Sequence, residues 1–270
     1  MYFEAQQTYF SGAGETPFYS ETLMNAICAS GACLTTRTQS GLPSDIAEFF
    51  SSRARLLLEI EMDSPSIATV QALVIMSATE AAFTRDARGW LYSGMAVRLS
   101  ADLGLHLDLS NEVMHGVVSA RELDVRRTTF WGVFLHDNMW SLYVGRPSGI
   151  NDQNISMSLP QIPAESSKSR FWHPTTLESA PSVSRDEASS NGFHDAIEAC
   201  TIANISLGMM MNKLSKTVYS GESISDSKLE EFAASMRVEF YEWENGLPAE
   251  LKIDLEDVNK FHLPHVLQLQ

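Results

Sequence analysis

Apolar and small residues recur at three-four spacing through Ile67, Val70, Val74, Ser77 and Ala81, which predicts a helix with one buried face. Ser64 is the predicted N-cap and Pro65 the first helical residue, where a missing N–H costs nothing. The next segment, Arg85 to Asp108, carries Leu91, Met95, Leu99 and Leu103 on one side. Ala87, Gly94 and Ala101 recur on another side, a small stripe expected to admit a second helix closely. Gly104 should stop this helix, with Leu105 folded back on Leu99 as in a Schellman motif. A capping box at Ser119 and Glu122 opens a third helix, predicted to run to Val144 over about 37 Å at ~1.5 Å per residue. From Phe130 onward it is apolar on almost every side, and it should end at Gly145 in the left-handed conformation, with Pro147 blocking continuation. Ile155, Met157 and Leu159 then alternate, as in an extended segment lying on a surface.

The pattern weakens after Pro160. Residues 161–192 are rich in proline and serine, and a disordered insertion is expected there. Helical spacing returns from Phe193 through Val218, and again from Leu229 to Trp243, stopping at Gly246-Leu247-Pro248. The last ten residues, FHLPHVLQLQ, read as the first turns of another helix. The expected fold is all-α: a multi-helix bundle or array with a long buried central helix and a Pro/Ser-rich loop insertion. We expect one domain over 1–270, with its core at 18–160 and truncated C-terminal helices at 193–270.

Charge narrows the function classes. Nineteen basic residues face thirty-four acidic ones, a net −15, and such a surface repels phosphate, so direct nucleic-acid binding is not expected. Cys28, Cys33 and Cys200 form neither a disulfide framework nor a zinc cluster and read as small buried hydrophobes. The N-terminus lacks a basic segment followed by an apolar one, and no apolar run reaches the ~20 residues of a membrane helix, so an intracellular soluble chain is expected.

Chemical candidates are few. Gly12 to Thr16 has phosphate-loop glycine spacing but no following Lys-Ser/Thr and no preceding strand. His106 follows a helix end, where a cation complements the dipole. His136 and Asp137 are adjacent, so on a helix they point ~100° apart and cannot share a substrate. Asp137 should be buried and needs a partner, for which Arg98 is the candidate. Arg146 is expected to lie over Trp140. Met209 to Met211 read as core filling. No catalytic, metal or cofactor residue is assigned, and no enzyme is expected.

Several linked motifs resemble the fungal-specific transcription factor domain, the regulatory middle region of fungal binuclear zinc-cluster regulators. One element is carried by Ala96, Arg98, Leu99, Leu103, Gly104, Leu105 and His106, and a second by Glu122, Arg126, Arg127, Phe130 and Trp131. A third comprises Asp137, Ser141, Gly145, Arg146 and Pro147, followed by Ile150, Asp152, Ile155, Met157, Leu159 and Pro160. Glu242-Trp243, Leu247-Pro248 and Leu251 match a later element. The resemblance implies a non-DNA-contacting regulatory domain in the nucleus, controlling transcription by RNA polymerase II. Its implied partners are other transcription regulators or a second copy of itself, with a possible small-molecule effector. DNA would be reached, and zinc held, only through a missing N-terminal six-cysteine cluster. The chain accordingly looks like a fragment or a regulator without its DNA-binding end. An alternative is a small-molecule-sensing or protein-interaction helical module, with Trp90, Trp131 and Trp140 around an apolar pocket.

Overall fold

A computed structural model describes residues 16–34, 45–160, 197–219 and 224–252, together with Gln6, Gly221 and the pairs 171–172 and 193–194. Its helices are α1 (Glu21–Cys33), α2 (Ile46–Glu61), α3 (Ile67–Ala82), α4 (Asp86–Asp102), α5 (Ser110–Met114), α6 (Ala120–Val144), α7 (Ile197–Tyr219) and α8 (Asp226–Gly246). The all-α expectation holds. The one extended pairing among the described residues is a two-residue antiparallel contact of Phe171–Trp172 with Phe193–His194. The Gly12–Gly14 glycines, nearly all of the 161–192 insertion and the final helix start lie outside the described residues.

Contacts divide the chain into two compact units, residues 1–159 with 208–223, and residues 160–207 with 224–270. In the second unit Cys200 and Ala203 pack with Leu247 and Leu251, and the Trp243 indole N–H donates to the Ala203 carbonyl at 3.2 Å. In the first unit α3 is the central layer, packed against α1, α2, α4 and α6. It is buried almost all round, including Ile67, Ala68, Thr69, Val70, Ala72, Leu73, Met76 and Ser77. It begins later than the sequence suggests: Ser66, not Ser64, is the N-cap, and its N–H donates to Thr69 Oγ1 at 2.8 Å. That side-chain bond replaces a backbone partner the first turn lacks, so the start is fixed by Thr69 rather than by Pro65.

A single charge interrupts the apolar run of α3. Glu80 is 1% exposed, and a buried carboxylate is costly unless paired. Arg55 from α2 reaches it at 3.2 Å, Arg88 from α4 at 3.3 Å and Arg85 at 3.5 Å, with the Ser51 hydroxyl at 3.4 Å. Arg55 and Arg85 also bind Glu48, at 2.9 and 2.8 Å, and the Arg55 hydrogen bond in particular holds the Glu48 carboxyl below its usual pKa.

The small stripe that admits a neighbour on α4 is not Ala87, Gly94 and Ala101, which are exposed. Gly89, Ser93, Ala96 and Ser100 are the buried small positions. Their three-four spacing keeps one face toward the core, whereas a seven-residue repeat drifts around a straight helix. At Gly89 an added Cβ would lie 2.5 Å from Trp140 Cζ2 and 3.0 Å from the Ser77 carbonyl oxygen. The α4–α6 contact is therefore set by an indole seated on bare backbone.

That indole also defines the state of His136. The Trp140 N–H can only donate, and it meets His136 Nε2 at 3.1 Å. Nε2 must present its lone pair, so the neutral ring carries its proton on Nδ1. Ser77 Oγ lies 2.8 Å from the same nitrogen and 2.6 Å from the Gly89 carbonyl, and its single proton serves one of these two acceptors at a time. Burial pushes the imidazole pKa down to about 4, and protonation would set one N–H against another.

Substituting Gly89→Ala should lower the unfolding free energy by about 1–3 kcal/mol, through overpacking against Trp140. Gly132→Ala, where a Cβ meets nothing within 4 Å, should instead raise it by about 0.5–1 kcal/mol; urea denaturation of both checks the pair. Because the folded pKa of His136 is depressed, its contribution is complete above the unfolded value of ~6.5 and is lost as pH falls toward the folded one. Stability should fall by about 2 kcal/mol between pH 6.5 and 5, and that slope should be largely absent in His136→Gln.

Candidate functional site

In the first unit, most of the family-motif residues lie near two helix ends. At the end of α4, Leu103 is the C-cap and Gly104 adopts φ +65°. The Leu105 N–H returns to the Ser100 carbonyl at 2.9 Å and that of Gly104 to Ala101 at 3.0 Å, the paired bonds of a Schellman motif. Arg126 of α6 donates to the Leu103 carbonyl at 2.7 Å and reaches Gly104 at 3.4 Å. A guanidinium thus completes the negative end of the helix, a role expected of His106. His106 contributes its backbone instead: its carbonyl accepts from Ser156 at 3.1 Å and Met157 at 2.9 Å. Its Nδ1 is buried without a partner.

The end of α6 repeats the device. Ser119 caps the start through Glu122 N–H, as predicted, and Gly145 ends the helix at φ +67°. Arg146 N–H returns to the Ser141 carbonyl at 2.8 Å and Gly145 N–H to Leu142 at 3.3 Å. The chain then doubles back over the last turns, past exposed Pro147, onto Asp137. This carboxylate is 2% exposed. Its Oδ2 accepts from Ser148 Oγ at 2.7 Å, Gly149 N–H at 2.8 Å and Ile150 N–H at 3.2 Å. Burial pushes its pKa upward, and the Ser148, Ile150 and Gly149 donors pull it back.

Arg98 is therefore not the partner of Asp137; the loop directly after the helix supplies hydroxyl and amide donors closer by. Arg146 also departs from expectation. Its guanidinium lies 5.4 Å from the Trp90 ring centre, because the Trp140 indole is turned into the Gly89–His136 packing. Of the remaining motif residues, Phe130 and Trp131 are core, and the Trp131 indole donates to the Ser158 carbonyl at 2.9 Å. This ties down the alternating segment, in which Met157 is buried and Leu159 exposed. Arg127 stands apart, half-buried and 3.7 Å from Asp124.

Between the two helix ends lies a cavity of about 400 Å³, lined by Trp90, Arg98, His106, Phe130, Asp137 and Ile155 among others. Gly94 and Ala101, the stripe expected to admit a helix, line it instead. The three tryptophans do not share a pocket: Trp131 faces a second cavity of about 390 Å³ with Phe134, Met157 and Met209. Met210 is core, whereas Met209 is partly exposed. Cys200 is buried, Cys28 intermediate and Cys33 exposed, so the buried reading fails for Cys33.

Among the described residues there is no group of three or more His, Cys, Asp or Glu able to hold a metal. None of the described helices is long and apolar enough to cross a membrane.

The sequence reading missed Arg126 as a cap, the loop donors to Asp137 and the Glu80 cluster. Only the last left a signal, a lone acid within ALVIMSATEAAF.

The fungal specific transcription factor domain matches residues 3–245. The nitrogen assimilation transcription factor nirA of Emericella nidulans is 30% identical, covering 93% of this chain and 30% of the relative. Nit-4 of Neurospora crassa, another nitrogen assimilation transcription factor, is 35% identical over 60% of this chain and 16% of the relative. An uncharacterized transcriptional regulatory protein of Schizosaccharomyces pombe is 30% identical over 88% of this chain and 38% of its own length. The chain thus spans well under half the length of these curated relatives. No solved structure matches it. With the family's pattern matching residues 3–245, most of its length, this chain belongs to the fungal specific transcription factor domain family.

Proposed function

We propose that this chain is the regulatory, non-DNA-contacting part of a fungal zinc-cluster-type transcription factor, acting in the nucleus on transcription by RNA polymerase II. The observation that carries the reading is the family match over residues 3–245. Relatives named as transcription factors or regulators support it. The net charge of −15 opposes direct contact with DNA phosphates, so DNA recognition and zinc belong to a separate cluster domain of the parent factor. We assign no enzymatic role: the polar groups around the cavity comprise no nucleophile paired with a base.

The partners we propose are other transcription regulators or a second copy of the chain. Leu56 and Ile60, one turn apart on α2, are 73% and 72% exposed, and apolar surface of this kind suits protein contact better than solvent.

Three measurements test the reading. In gel shifts at physiological salt the isolated chain should give no sequence-specific complex, and after dialysis against a chelator it should retain no stoichiometric zinc. Fused to an unrelated DNA-binding domain in yeast, it should alter reporter transcription relative to that domain alone. Specific DNA binding by the chain, or a fusion without effect on the reporter, contradicts the proposal.

A further inference from the structure

We propose that the 400 Å³ cavity between the two helix ends is a binding site for a free α-amino acid with an apolar side chain. Its volume falls within the ~300–1,000 Å³ of small-molecule sites. What selects the ligand is the pair of opposite charges on its wall. Asp137 is almost fully buried, and its three donors all go to Oδ2. Among the described residues Oδ1 receives no hydrogen bond, and this carboxylate lines the cavity. Arg98 also lines the cavity and has neither an ion pair nor a hydrogen bond among the described residues. The two charges do not satisfy each other, so the cavity presents an acceptor for a cationic nitrogen and a separate fork for a carboxylate. The buried, unpartnered Nδ1 of His106 adds a further polar group.

Simpler ligands fit less well. An inorganic anion drawn to Arg98 would leave the open oxygen of Asp137 beside a like charge. A simple amine at Asp137 would leave Arg98 unmatched. Among the described residues a metal lacks the ligands it needs. A zwitterion satisfies both groups, and Trp90, Phe130 and Ile155 offer the remaining wall to an apolar side chain. Gly94 and Ala101 also line the cavity, and a larger side chain at either position would intrude on it.

Such binding would be the effector input of the regulatory reading, and its biological meaning rests on that reading. The binding itself is measured on the isolated chain, so its failure is distinct from a failed reporter assay. The probes are the twenty free amino acids, titrated into the 270-residue chain by calorimetry with thermal melting in parallel. Leucine and its apolar relatives should give saturable heat and raise the melting temperature. Arg98→Gln removes an exposed, unpaired side chain and should melt like the parent chain, yet weaken binding about tenfold or more through loss of the charged fork. Leucinamide and N-acetyl-leucine, each lacking one charge, should bind about tenfold or more weakly for the same reason. Gly94→Leu should abolish binding by placing a large side chain in the cavity wall. The proposal is overturned if no amino acid gives a saturable response, if Arg98→Gln binds as the parent does, or if the blocked compounds bind equally well.

Discussion

The carboxylate of Asp137 is the constraint around which the first unit is organised. It is held away from water on the longest of the described helices, and the stretch immediately after that helix returns to satisfy it. Two backbone amides and a hydroxyl converge on one oxygen. Leaving such a group unpaired would cost more than any one of these bonds contributes, which gives the return loop little choice of path. The fixed loop then positions Ile150 in the core and delivers Met157 against the end of α4. Gly145 makes the reversal possible, and its left-handed backbone is a requirement of the Asp137 clasp as much as of the helix end.

The same logic recurs at lower cost elsewhere. At the end of α4 a guanidinium from α6 completes the carbonyls that Gly104 leaves behind. Within α3 the buried acid Glu80 gathers arginines from three places in the sequence. Asp137, the end of α4 and Glu80 are each matched by groups from outside their own helix, so these polar sites report which elements meet. The apolar residues alone would allow several arrangements, because α3 is buried on nearly every side and has no single face to align.

This difference explains what could be read from the sequence. Helices α3, α4 and α6, the stops at Gly104 and Gly145, and the burial of Asp137 follow from spacing and capping rules that act within a few residues. Partner choice does not. Asp137 turned to the adjacent loop rather than to Arg98, and Arg146 turned to Trp90 rather than to Trp140, since both outcomes depend on where the chain goes after residue 147. The misjudged stripe on α4 has a similar origin: Ala87, Gly94 and Ala101 are small, but only the packing of Trp140 shows that Gly89 is the position where smallness is required. Of the cavity only Trp90 was legible as a pocket residue, because its walls come from α4, α6 and the loop that Asp137 holds.

The central claim is that the Asp137 carboxylate holds the loop after α6 in place. Amide hydrogen exchange at Gly149 and Ile150 tests it most directly, compared between the parent chain and Asp137→Ala. The account predicts that both amides are protected in the parent and exchange about tenfold or more faster in the variant, as expected when a charge-assisted hydrogen bond is lost. Helical amides in α3 should remain protected in the same sample. Equal exchange at Gly149 and Ile150 in the two proteins, with Asp137→Ala folded, would contradict the account.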